Sequence, residues 1–95
     1  MAIELTGDRA DELIRLQSAS DVAHAEVLRL AEAYGPIAGW TQEQLSERDA
    51  AYAAWRDRAA DAQAAVTEYA REIEKPRNDV EAAVKKAVRH PASEA

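Results

Sequence analysis

A carboxylate and an imidazole three residues apart on a helix can share a metal ion, and Asp21 with His24 is the one such pair in the chain. A di-iron carboxylate bundle needs two Glu-x-x-His elements and two further inward-facing Glu residues. Here there is a single element with Asp in place of Glu, and the other histidine, His90, sits beside Pro91 in the last helical turn. The pair therefore reads as a solvated or edge histidine. Among the 18 acidic residues, Asp8 and Asp11 share a metal-ligand offset near a helix start, but no second pair matches them. Asp57/Asp61 and Glu68/Glu72 alternate with Arg56, Arg58 and Arg71, the pattern of a solvent face laced with ion pairs. Ser18, Ser20, Ser46 and Ser93 have no His at a suggestive spacing, and no Gly-rich phosphate loop is present. With no cysteine there is no thiolate nucleophile, disulfide or cysteine metal site. The sequence thus offers no catalytic residue, no cofactor-binding residue and no metal site, and reads as a non-enzyme.

What the chain does offer is periodicity. Leu45, Tyr52, Trp55, Ala59, Ala62, Val66, Tyr69 and Ile73 recur, after one gap, at steps of three and four, the spacing that stacks side chains on one helix face. Arg48 and Asp49 occupy the one turn of that seam without an apolar residue. Its start is marked by a capping box, Thr41 with Gln44, and by a hydrophobic staple of Trp40 on Leu45. The spacing predicts a helix over about residues 42–74, about 50 Å long, stopped by Pro76. Leu13, Leu16, Ser20, Ala23, Val27, Leu30 and Tyr34 predict an earlier helix over about residues 8–34, capped by Thr6 or Asp8 and ended by Gly35-Pro36. Ser18-Ala-Ser-Asp21 could kink it. Asn78 with Glu81 predicts a third start, giving a short helix over about residues 79–90 and a frayed tail at 91–95.

Ninety-five residues make a single domain, 1–95. The short 35–41 connection makes the first two helices an antiparallel hairpin. The expected fold is all-α, a long hairpin plus a short C-terminal helix, paired as a homodimeric helical bundle because a hairpin this small leaves apolar surface uncovered. Neither a signal peptide nor an apolar run of membrane-spanning length is found, and the expected setting is cytoplasmic.

The net charge of −6 opposes non-specific nucleic-acid binding. Only residues 76–95 are slightly basic, with four bases against three acids. Arg77, Lys85, Lys86 and Arg89 are the candidate phosphate contacts of a nucleic-acid reading. The competing account is that bases in the last turn, with Asp79 and Glu81 in the first, complement the helix dipole.

The segment Glu68-Tyr-Ala-Arg-Glu-Ile-Glu-Lys-Pro-Arg-Asn-Asp-Val-Glu-Ala-Ala-Val-Lys-Lys-Ala-Val88 resembles the helical hairpin of ribbon–helix–helix regulators. Those proteins read DNA through a paired strand just before that hairpin. Here the long Ala-rich helix stands in the strand's place, and the alternating Ile3 and Leu5 lie far upstream. The ending Asn78-Asp-Val-Glu-Ala-Ala-Val-Lys-Lys-Ala-Val-Arg-His-Pro91 is similar to that of small uncharacterised helical proteins from actinobacteria, which implies a source and no residue roles. The paired Glu-x-x-Glu and Glu-x-x-Asp motifs of all-α nucleotide pyrophosphatases are absent, as is the Trp-x-Gly of small secreted helical hairpins, since Gln42 follows Trp40 at that offset.

The sequence reading is accordingly a non-enzymatic protein–protein interaction or assembly module. Its interaction face is the seam from Leu45 to Ile73, and its partner a second copy or another protein. The alternative is a nucleic-acid-associated regulator using the basic C-terminal helix.

Overall fold

Two strong stop signals and one strong start divide the chain. In the computed structural model, which describes Ile3, Leu5 and residues 7–89, α1 spans Gly7–Tyr34, α2 Gln42–Ile73 and α3 Arg77–Arg89. A 3-10 turn at Ile37–Gly39 joins α1 to α2. Among the described residues there is no strand, and no helix is long and apolar enough to cross a membrane. The fold is the expected one: a long antiparallel hairpin with a short third helix.

The turn between α1 and α2 is built from local hydrogen bonds. Gly35 ends α1 at φ 72°, a left-handed conformation that glycine adopts without a Cβ penalty. The Thr41 hydroxyl accepts from the Gln44 amide at 3.2 Å, and the Gln44 side chain accepts from the Thr41 amide at 2.8 Å. This complete capping box satisfies two of the amides that a helix start leaves unpaired. At the far end α2 stops one residue earlier than expected, with Glu74 in the left-handed region at φ 54° and Pro76 beyond it.

Two expected helix starts are corrected. Asp8 lies inside the first turn of α1, which begins at Gly7, so it complements the dipole rather than capping; Thr6 lies outside the described residues. Asn78 does not cap α3. The Pro76 carbonyl accepts the Asp79 and Val80 amides at 3.1 and 3.2 Å, and the helix begins at Arg77. Proline supplies a fixed φ suited to a helix start, which outweighs the cap offered by Asn78. His90 and the 91–95 tail lie outside the described residues.

No break divides α1 at Ser18–Ser20. Gln17 and Ser20 are buried at this level, and the Gln17 side-chain amide donates to Asp21 at 2.9 Å, so the polar intrusion is accommodated within one continuous helix. No buried side-chain nitrogen or oxygen among the described residues lacks a hydrogen-bond partner.

α3 folds back along the open end of the hairpin. Leu13 of α1, Val66, Tyr69 and Ala70 of α2, and Val80 and Val84 of α3 form one buried cluster, with Ile3, Leu5, Ala65 and Ile73 packed on it. Val80 and Val84 are fully enclosed, at 0 and 1 % exposure. Thirteen residues give α3 a length of about 20 Å, against about 48 Å for the thirty-two of α2. The third helix therefore covers under half of the hairpin. The radius of gyration is 16.2 Å, where a compact domain of this length has about 12 Å, and the long axis measures 49 Å.

These burial differences set an order of stability losses. Val80→Ala should cost about 2 kcal/mol, by lost transfer energy plus the cavity left behind. Thr41→Ala should cost about 1 kcal/mol by loss of its cap. Val22→Ala, at a side chain 70 % exposed, should stay within about 0.5 kcal/mol. Urea titrations of the three variants check the ranking.

Candidate interaction face

The seam on α2 changes character along its length. Ala62, Val66 and Tyr69 are buried where α3 and α1 both reach them, and Ile73 is half-buried at the open end. Towards the turn, Leu45, Tyr52, Trp55 and Ala59 are all half-buried, and Trp55 meets α1 at His24. All eight predicted positions are thus at least partly buried, and three of them are buried.

In this turn-proximal half, Val27 and Leu30 of α1 are buried, and directional aromatic contacts flank them. The Trp55 ring stacks on His24 of α1, with centroids 4.2 Å apart and planes at 19°. Tyr52 lies 6.0 Å from Trp55 at a tilt of 46°, and the Arg48 guanidinium sits 4.6 Å above the Tyr52 ring. His24, Trp55, Tyr52 and Arg48 therefore form one row that crosses from α1 to α2 and runs towards the turn. At the turn, Tyr34 and Trp40 meet edge to face at 5.4 Å, and the Trp40 indole N–H donates to the Gly35 carbonyl at 2.9 Å. The Tyr34 hydroxyl donates to Glu47 at 2.9 Å, which raises the phenol pKa above its ordinary value.

Sequence reasoning missed two members of this row. His24 reads from the sequence as a solvated or edge histidine, and the spacing gives no sign that its ring stacks on Trp55. Arg48 appeared as a gap in the seam, yet an Arg four residues before a Tyr on one helix face can lay its guanidinium over the ring. Among the described residues no three His, Asp or Glu side chains gather as a metal site.

The basic residues of α3 are dispersed rather than gathered. Arg77 donates to the Thr67 hydroxyl at 3.0 Å and to Glu81 at 3.4 Å, and Lys85 lies 3.5 Å from the same Glu81 carboxylate. Lys86 and Arg89 are exposed in the last turn, where they complement the helix dipole. Glu81 thus occupies two of the four candidate phosphate contacts.

Glu81 is also where α3 is tied electrostatically to α2. A hydrogen bond from Gln63 above all, with the charges of Lys85 and Arg77, holds its carboxyl below the ordinary value of 4.5 despite partial burial. A carboxyl lowered in the folded state leaves the unfolded chain binding more protons as pH falls. Its stabilisation is complete above the ordinary carboxylate range and is lost as pH drops through the folded value. Glu81→Gln should therefore be less stable than the parent at neutral pH. That difference should shrink on acidification below 4.5, as urea midpoints across a pH series would show.

No protein-family model, curated protein or solved structure matches this chain, so its own residues are the guide to what it does.

Proposed function

We propose that the chain is a non-enzymatic packing module. The half closed by α3 is its folded anchor, and the turn-proximal half of the hairpin binds another helical surface. The observation that carries this reading is the split in the seam: buried at Ala62, Val66 and Tyr69, half-exposed at Leu45, Tyr52, Trp55 and Ala59. Aromatic side chains bring large contact area at little conformational cost, and Tyr, Trp and Arg are the residues most enriched at interface hot spots. Here Tyr52, Trp55 and Arg48 already hold one another in place, so docking would not have to order them.

The nucleic-acid reading finds less support in the same geometry. Arg77 and Lys85 are committed to Glu81, and the chain carries six excess negative charges.

Recovery of a tagged full-length chain from cells that express it, with bound polypeptides (untagged chain included) identified by mass spectrometry, tests the proposal. A partner recovered with the parent and with Lys86→Glu, but lost with Tyr52→Glu, is the expected result. Loss with Lys86→Glu but not with Tyr52→Glu would overturn it in favour of the basic helix, as would salt-dependent retention of duplex DNA that weakens with Lys85→Glu. Failure of the parent to recover any polypeptide would overturn it outright.

A further inference from the structure

Beyond the end of α3 the hairpin keeps an open shelf. Arg77 of α3 meets Thr67 of α2, and Glu81, one turn further along α3, meets Gln63, one turn earlier on α2. At that rate Arg89, the last residue of α3, falls about level with Trp55. From Trp55 back to the start of α2 at Gln42 is about 20 Å, the length of α3 itself. One short helix fits that stretch.

Heptad spacing shows which residues of α2 border the shelf. α3 packs against Val66 and Ala70 and reaches Gln63. Tyr52 stands two heptads before Val66, and Arg56 stands one before Gln63 and two before Ala70. Both therefore lie on the side of α2 that α3 covers further along. On α1, Leu28 comes one turn after His24, so the His24–Trp55 stack puts it about level with Tyr52. Leu28 is 56 % exposed, and Tyr52 is half-buried.

The charge here is opposite in sign to that of the chain. Arg48 and Arg56 line a shallow concavity with Tyr52 and a single acid, Asp49. Arg9, Arg29, Arg71 and Arg77 each pair with a glutamate. Among the described residues Arg56 makes no ion pair, and Arg48 has only a 3.9 Å approach to its neighbour Asp49. Arg89, exposed in the last turn of α3, adds positive charge at the far end of the shelf. A chain with six excess negative charges thus presents a locally basic site.

We infer that this shelf takes a single acidic amphipathic helix from another protein. The inference rests on the packing-module reading and gives its partner a chemistry. Charge complementarity selects the occupant. Arg48 and Arg56 stand about 12 Å apart along α2, a spacing that carboxylates two turns apart on a facing helix can match. An aliphatic residue midway between those carboxylates meets Tyr52 and Leu28, as an amphipathic helix does when it lays its apolar face in a groove. A basic helix would meet repulsion from both arginines here and attraction from the acidic remainder of the chain. Size sets the lifetime: a contact about 20 Å long and 10 Å wide lies below the roughly 1,000 Å² of a stable interface, so the complex is transient.

A phage-displayed library of helical peptides the length of α3, randomised on one face and selected on the immobilised full-length chain, tests this. Enriched peptides should carry Asp or Glu two turns apart and bind the free chain saturably at micromolar concentration by fluorescence anisotropy. Arg56→Glu should weaken that binding about tenfold while keeping the parent's helical content and melting curve. Arg15→Glu makes the same charge change at an exposed position beside the α3-covered half and should leave binding within about twofold. Exchanging the two peptide carboxylates for Lys should abolish binding to the parent and restore it to the double variant Arg48→Glu, Arg56→Glu. Selection of no peptide overturns the proposal, as does equal weakening by Arg56→Glu and Arg15→Glu. Peptides enriched without carboxylates, and lost with Tyr52→Glu, overturn the acidic chemistry and leave the packing reading standing. A mass that doubles from 10.4 kDa with concentration, in competition with the peptide, overturns the proposal in favour of a second copy. Markedly tighter peptide binding on deletion of residues 90–95 overturns it in favour of the chain's own tail.

Discussion

Two helices enclose few side chains unaided, because most of those between them keep an open flank; among the described residues of α1, Val27 and Leu30 are the buried ones beyond the reach of α3. The contact on which this fold depends is the one that closes such a flank, where Val80 and Val84 of α3 drop onto Leu13, Val66, Tyr69 and Ala70. A fully buried aliphatic side chain contributes about 1.5–3 kcal/mol relative to exposure, and this cluster concentrates that gain at one end of the rod. Pro76 makes the contact reachable. By ending α2 and starting α3 within a few residues, it turns the chain back at the point where the thirteen residues of α3 can lie over the open end.

Beyond the reach of α3 the hairpin is held differently. Stacking of His24 on Trp55, the edge contact of Tyr34 with Trp40, and the exposed hydrogen bonds to Glu47 and Gly35 are each directional and each modest. They fix register more than they supply stability. Arg9 with Glu72 at the open end and Tyr34 with Glu47 at the turn sit at opposite extremes of the same interface and fix the same alignment. An Ala-lined seam alone would specify that alignment weakly, because Ala offers neighbouring registers nearly the same contacts.

The architecture was legible because its signals are local. Thr41 with Gln44, Gly35 before Pro36, and Pro76 act within four residues, so they read the same in the sequence as in the fold. Asn78 misled because two local signals competed within three residues, and the proline start prevailed over the side-chain cap. Ile3 and Leu5 looked like a fragment of strand, yet they pack on the core cluster, a contact that depends on where α2 and α3 come together. The candidate face was half legible for the same reason. Periodicity finds which residues share a side of a helix, and all eight seam positions are at least partly buried. How deeply each is buried depends on the third helix, whose extent along the hairpin follows from the length of α3 and the place of its first turn. His24 is invisible as an aromatic partner because a ring contact across two helices leaves no spacing in either one, whereas Arg48 stands four residues before Tyr52 on the same helix.

Gln17 and Ser20 show how the two halves are joined. They are the buried polar residues of α1, and they lie between the α3-covered cluster around Leu13 and the aromatic row that begins at His24. A buried polar group is tolerated only when its hydrogen bonds are made, and a change of register would separate it from its partner at a cost of roughly 1–3 kcal/mol. Gln17 meets that need within α1, through Asp21 one turn on, so it makes no demand on α2. The consequence is a seam whose apolar continuity is interrupted at the level where α3 ends. Cooperativity transmitted by side-chain packing weakens at that interruption, so the turn half opens at lower free energy than the anchored half. Local adjustment in the turn half therefore leaves the cluster around Val80 and Val84 undisturbed.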